Sequence, residues 1–110
     1  MNDLDRTLSA LADPTRREIV ELLRKQPERA GALASLLGKS GPAMSRHLRV
    51  LRQTGLVEED HAGEDARVRL YRLRPERFRS LGRWIAEVES YWAGQLEAFK
   101  EYAERTRRKR

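Results

Sequence analysis

No cysteine occurs in the 110 residues, and only two histidines, His47 and His61, are present. The first absence excludes disulfides, thiolate metal sites, thiol nucleophiles and cysteine redox sensing together, and it points to a reducing, cytoplasmic setting. The second leaves His47 a poor metal ligand or catalytic base, because its only companion is His61. No phosphate-cradling G-x-x-x-x-G-K or G-x-G-x-x-G loop is found, and no nucleophile, histidine and acid form a recognisable set, so the sequence does not read as an enzyme. No apolar run approaches the ~18 residues that a membrane span needs. The opening Met1-Asn2-Asp3-Leu4-Asp5-Arg6 is acidic and lacks the apolar core of a signal peptide. The expectation is an intracellular chain that neither crosses nor anchors in a membrane.

What is there suits one domain. Apolar residues make up 39% and charged residues 36%, too apolar for a disordered chain and enough to build a core at this length. The net charge is +6, but Arg105, Arg107, Arg108, Lys109 and Arg110 supply most of it. Residues 105–110 are therefore expected to be a basic, disordered tail with weak affinity for phosphate, and residues 1–104 to form the domain. A second basic stretch runs from Lys39 through Arg46, Arg49 and Arg52 without one acidic residue.

Periodicity and caps predict four helices, a two-stranded hairpin and a long final helix. Leu4, Leu8 and Leu11 are spaced for one face of a short first helix. Asp13-Pro14 ends it and starts the next, Asp13 as N-cap and Pro14 where its missing N–H is harmless. The second helix reaches about Lys25 and buries Ile19, Leu22 and Leu23. A third covers Ala30 to Leu37, with Leu33, Leu36 and Leu37 as its face and Gly38 as its left-handed stop. Ser40 caps the fourth, whose apolar stripe is Met44, Leu48 and Leu51 and which Thr54-Gly55 terminates. The tight turn from Gly38 to Ser40 gives this pair the proportions of a helix-turn-helix. Leu56 to His61 and Ala66 to Leu73 then read as strands around a turn with Gly63, Glu64 and Asp65; their pattern does not settle which face is buried.

Pro75 opens the last helix, expected to reach about Glu104 and so to measure about 45 Å. Its apolar positions, Phe78, Leu81, Ile85, Val88, Trp92, Leu96, Phe99 and Ala103, form a stripe too long to be covered within one small domain. A second copy of the chain would cover it, with a seam made of Leu4, Leu8 and Leu11 from the first helix and Leu81, Ile85, Val88, Trp92, Leu96 and Phe99 from the last.

With Met44, Leu48 and Leu51 turned inward, the fourth helix presents Pro42, Arg46, Arg49 and Gln53 outward. Ser45 and Arg52 flank that face on one side, Ala43 and His47 on the other. A helix with such donors, second in a helix-turn-helix, suits a DNA major groove, where arginine pairs bidentately with guanine. The small residues Gly41, Ala43 and Ser45 leave room for the backbone to approach phosphates.

Three motifs in order, Ala10-Leu11-Ala12-Asp13-Pro14-Thr15-Arg16-Arg17-Glu18-Ile19, Ser45-Arg46-His47-Leu48-Arg49-Val50-Leu51 and Thr54-Gly55-Leu56-Val57, resemble the ArsR-type winged helix-turn-helix repressors of bacteria over residues 4 to about 104. The resemblance implies a mainly α fold with a small β-hairpin wing. It also implies a homodimer through the first and last helices, and a near-palindromic double-stranded operator read by the 41–53 recognition helix and the 57–73 wing. By position it implies groove contacts for Pro42, Ala43, Ser45 and Arg46 and places His47 near the phosphates; Ser40, Gly41 and Arg49 on the same helix, and Arg67 and Arg69 on the wing, are the further DNA contacts expected. Many members have glutamine where Gly41 stands, so base reading shifts to Arg46. The wing tip carries Glu64 and Asp65, which phosphate repels.

Metal-sensing members use cysteines at the positions of Arg29, Gly31 and Ala34, or aspartate and histidines on the last helix, where this chain has Glu87, Glu89 and Glu97. Neither set is a transition-metal site, so neither metal nor cofactor is expected. The aromatic last helix resembles a metal-ligand-free branch that often represses its own operon, and it leaves room for an unidentified small-molecule effector. The competing reading is a dimeric winged-helix module that binds a protein rather than specific DNA.

Overall fold

The computed structural model describes residues 2–61 and 67–108. The chain divides into two compact units, Met1–Arg79 and Ser80–Arg110. The elements in order are α1 (Asp3–Leu11), α2 (Pro14–Lys25), α3 (Ala30–Leu37), α4 (Gly41–Gln53), β1 (Val57–His61), β2 (Arg69–Leu73) and α5 (Pro75–Arg108). Helices α2, α3 and α4 lie where periodicity and caps place them. The expected hairpin turn at Gly63, Glu64 and Asp65 lies outside the described residues.

Local chemistry fixes the helix ends. Asn2 and Asp5 form a reciprocal capping box at the start of α1. Asp13 Oδ1 accepts from the Arg16 amide at 3.1 Å to open α2, and Pro14 sits in its first turn. Arg16 also ties α2 back to α1, its Nε donating to the Ala10 carbonyl at 2.7 Å, while Arg17 Nη1 donates to the Leu11 carbonyl at 2.7 Å. Two guanidiniums thus satisfy carbonyls that α1 leaves open at its C-terminus.

The first unit is built around Ile19, Leu23, Leu33, Met44, Leu48, Leu51, Leu56 and Val57, all buried. Helix α1 departs from its leucine pattern. It turns Thr7 and Ala10 inward, both 2% exposed, and Thr7 Oγ1 satisfies itself on the Asp3 carbonyl at 2.8 Å. Leu4 and Leu11 are half-buried and Leu8 is exposed. Leu22 is likewise only half-buried. On α3, Leu33 and Ala34 are the buried pair, and Leu36, expected on the inner face, is 61% exposed.

The strands pair antiparallel with Val57 opposite Leu73 and Glu59 opposite Tyr71, and both are shorter than expected. Tyr71 and Leu73 pack against the core, which settles the inner face of β2. Sequence reading missed a second partner for β2: Glu28 and Tyr71 exchange two backbone hydrogen bonds, of 3.1 and 2.8 Å. Helix α5 continues past Glu104 through Arg108. The basic stretch expected as a disordered tail from residue 105 is thus helical as far as it is described. Arginines in the last turn favour this by complementing the helix dipole, and Thr106 Oγ1 donates to the Tyr102 carbonyl at 3.0 Å.

Candidate nucleic-acid interface

The turn between α3 and α4 sets the direction of α4. Gly38 closes α3 with φ 63° and ψ 37°, a left-handed conformation that favours glycine. The Lys39 amide then returns to the Ala34 carbonyl at 2.9 Å. One residue on, Ser40 caps α4, its Oγ accepting from the Ala43 amide at 3.2 Å. The far end is closed by Gly55 at φ 83° and by the Leu56 amide on the Leu51 carbonyl at 2.9 Å. Helix α4 is therefore fixed at both ends and anchored by Met44, Leu48 and Leu51, none more than 2% exposed.

The opposite face is open. Gly41, Pro42, Ser45, Arg46, Arg49, Arg52 and Gln53 are exposed, with Ala43 and His47 half-buried at its edge. Arg46 and Arg49 have no hydrogen-bond or ion-pair partner among the described residues. Their donors are available to an incoming acceptor. His47 turns towards α2: its Nδ1 stands 4.0 Å from Asp13 Oδ1, beyond hydrogen-bond distance but close enough for a charged ring to be attracted. The Asp13 carboxyl lies below the usual aspartate range, first because it accepts the Arg16 amide, with burial opposing and the Arg16 and His47 charges assisting.

The cations of the hairpin are differently placed. Arg69 Nη1 donates to Glu59 Oε1 at 2.8 Å, and Arg52, from the end of α4, donates to Glu59 Oε2 at 3.0 Å. Arg72 pairs with Glu58 at 2.7 Å and with Asp60 at 3.2 Å. Arg67 is exposed in the turn before β2. Sequence reading named Arg69 but missed the β1 carboxylates as its partners; the signal was the acidic run Glu58-Glu59-Asp60 facing an arginine-rich strand. Glu64 and Asp65 lie outside the described residues. Among those residues no cluster of three or more histidine, cysteine or acidic side chains is placed to hold a metal ion, and no helix is long and apolar enough to cross a membrane.

In the second unit, α5 carries an exposed apolar and aromatic run: Trp84, Ile85, Val88, Tyr91, Trp92, Leu96, Phe99 and Tyr102. Tyr91 and Trp92 meet edge to face with ring centroids 5.8 Å apart. Leu81 is half-buried.

Comparison with known proteins agrees with this geometry. Residues 13–59 match the family described as bacterial regulatory protein, arsR family. The chain is 39% identical to the HTH-type transcriptional regulator Rv2034 of Mycobacterium tuberculosis, over 86% of this chain and 83% of that one. It is 33% identical to the transcriptional repressor SdpR of Bacillus subtilis, over 56% of this chain and 68% of the relative. Among solved structures, an ArsR-like transcriptional regulator from Rhodococcus sp. RHA1 superposes with a TM-score of 0.77 at 31% identity, covering 93% of this chain and 91% of that one. Relatives, fold and site agree on a regulator rather than an enzyme, and the chain belongs to the ArsR family of DNA-binding, winged helix-turn-helix transcriptional regulators.

Proposed function

We propose that the chain is a homodimeric, metal-independent repressor that acts in the cytoplasm on a near-palindromic operator, its own promoter included. The observation that carries this reading is the pair Arg46 and Arg49, exposed and without a partner among the described residues, on the outer face of a helix fixed at both ends. Arg46 is the base reader, presenting a guanidinium to the two acceptors of guanine, with Ser45 and Ala43 as smaller contacts. Ser40, Gly41 and Pro42 bring the first turn of α4 against phosphate, where small side chains help. His47 and Arg49 extend the contact along α4 and Arg67 meets the backbone from the wing, while Arg69 is held on Glu59.

The dimer is supported by the apolar surface that one chain leaves open, since exposed apolar patches of this kind mark protein interfaces. Leu4, Leu8 and Leu11 together with Leu81, Ile85, Val88, Trp92, Leu96 and Phe99 form its seam. Two recognition helices then meet half-sites about one helical turn apart, roughly 34–36 Å. The domain spans residues 1–104, and the basic end from residue 105 adds sequence-independent attraction to DNA. Repression is supported by the name of the Bacillus subtilis relative, and metal independence by a donor set without thiolates or clustered imidazoles.

The test is selection of duplexes from a random pool with the purified chain, followed by Arg46→Ala on the selected site. The substitution is expected to cost ~1–3 kcal/mol and to relax preference at one base pair per half-site. Equal weakening on every sequence would make Arg46 a phosphate contact and overturn the assignment.

A further inference from the structure

The cations of this protein fall into two populations. Those on the outer face of α4, Arg46 and Arg49, are unpartnered among the described residues. Arg52 at the end of α4 and Arg69 on the wing instead converge on one carboxylate. Glu59 Oε2 accepts from Arg52 Nη1 at 3.0 Å, and Oε1 accepts from Arg69 Nη1 at 2.8 Å. A third donor completes the set: the Tyr71 hydroxyl reaches Oε2 at 2.8 Å. Tyr71 stands directly opposite Glu59 in the hairpin and is itself fixed by two backbone bonds to Glu28.

This is not a loose surface pair. The Glu59 side chain is only 20% exposed, whereas Arg52 and Arg69 are 49% and 56% exposed. The carboxylate is therefore recessed and the two guanidiniums lie over it. Its pKa is held below the usual glutamate range, first by the Tyr71 hydrogen bond and then by the two arginine charges, against the effect of burial. The group is anionic at neutral pH and offers the two guanidiniums the same chemistry as a phosphate oxygen pair.

We propose that Glu59 is a specificity-setting positioning residue: it occupies Arg52 and Arg69 as an internal phosphate mimic and so withholds them from the DNA backbone. The proposal rests on α4 being the DNA-facing helix, and it adds why the neighbouring cations do not make that face bind every duplex tightly. Phosphate contacts raise affinity for all sequences alike, whereas base contacts discriminate. Restraining two phosphate contacts while leaving Arg46 free shifts the balance towards discrimination.

The experiment uses the full chain and a random-sequence duplex, with binding measured across a salt series. Glu59→Gln keeps an acceptor for the Tyr71 hydroxyl and removes the charge. It is expected to tighten binding to random duplex by about tenfold at fixed salt. The plot of log affinity against log salt should steepen by about one to two, as each added phosphate contact contributes about 0.9. Arg52→Ala/Arg69→Ala with Glu59 intact is expected to change binding less than twofold, and adding Glu59→Gln to that pair should give no gain. A gain that persists without the two arginines would be a bare charge effect and would overturn the proposal, as would an unchanged salt slope in Glu59→Gln. If Glu59→Gln melts below the assay temperature, Arg69→Ala alone decides: a tenfold loss on random duplex would mean that Arg69 already sits on phosphate. Arg46→Ala measured alongside keeps the two readings apart, since its failure on the selected site leaves the random-duplex result standing.

Discussion

Gly31 in the first turn of α3 and Gly38 at its C-cap should respond to alanine with opposite sign. At Gly38 the backbone is left-handed, φ 63°, and an added Cβ meets no atom within 4 Å. The effect of Gly38→Ala is therefore conformational rather than a clash. Holding an L-residue in that region costs about 1–2 kcal/mol, and the stiffer unfolded chain returns about 0.4–1 kcal/mol. The net is a destabilisation of about 1 kcal/mol, or roughly 5 °C in melting temperature for a domain of this size. Gly31 sits in the first turn of α3 with the same open space but ordinary helical geometry, so Gly31→Ala should stabilise by about 0.5 kcal/mol. Both are read by thermal melts at one protein concentration, because the melting point of an oligomer depends on concentration. Gly38→Ala should also weaken operator binding, since the Gly38 turn aims α4, whereas Gly31→Ala should not. A Gly38→Ala variant that melts at or above the parent would refute the left-handed turn as the joint of the helix-turn-helix.

The acid limb of stability should trace Asp13 and Glu59. Both folded-state pKa values are depressed, so their contribution is complete above the ordinary carboxylate range and is lost as pH falls through the lowered values. Melts between pH 7 and 3 should show this loss, and Glu59→Gln should flatten its share; an unchanged profile in that variant would count against the Glu59 cluster. For the seam, Leu96→Glu places a charge at a position 66% exposed in the single chain and buried in the proposed dimer. Sedimentation should show a folded monomer with reduced operator affinity, and a dimer of unchanged strength would remove α5 from the interface.

The helices were legible because their determinants are local. Asp13-Pro14, Gly38 and Ser40 act within three or four residues of themselves, and the stripe Met44, Leu48, Leu51 repeats at helical period. That also made the outer face of α4 readable, since whatever opposes a buried stripe is exposed. Contacts between elements were not legible. The inner face of β2 depends on Tyr71 pairing with Glu28, two residues far apart in sequence that share a single bridge. In α1 the eye follows Leu4, Leu8 and Leu11, but the residues turned inward are the small Thr7 and Ala10. Leu36 fails for a related reason: periodicity locates an apolar face, while the neighbours decide how much of it is covered. The end of α5 depended on how arginines complement a helix terminus, which a count of basic residues misreads as a loose tail.

The same distinction explains why net charge is a poor map of the DNA-facing surface. Of the arginines outside the end of α5, many are already engaged: Arg16 and Arg17 on carbonyls of α1 and its cap, Arg52 and Arg69 on Glu59, Arg72 on Glu58 and Asp60, Arg77 on Asp3 at 2.9 Å. A cation matched by a recessed carboxylate adds little to the field that draws phosphate, while an unmatched one on a rigid helix adds both field and a fixed direction for its donors. On the proposed reading, Arg46 and Arg49 stand out less by being arginine than by having no partner among the described residues, beside neighbours that do. That is a property of the folded hairpin register, Glu59 opposite Tyr71 and Arg69 two places along the same face.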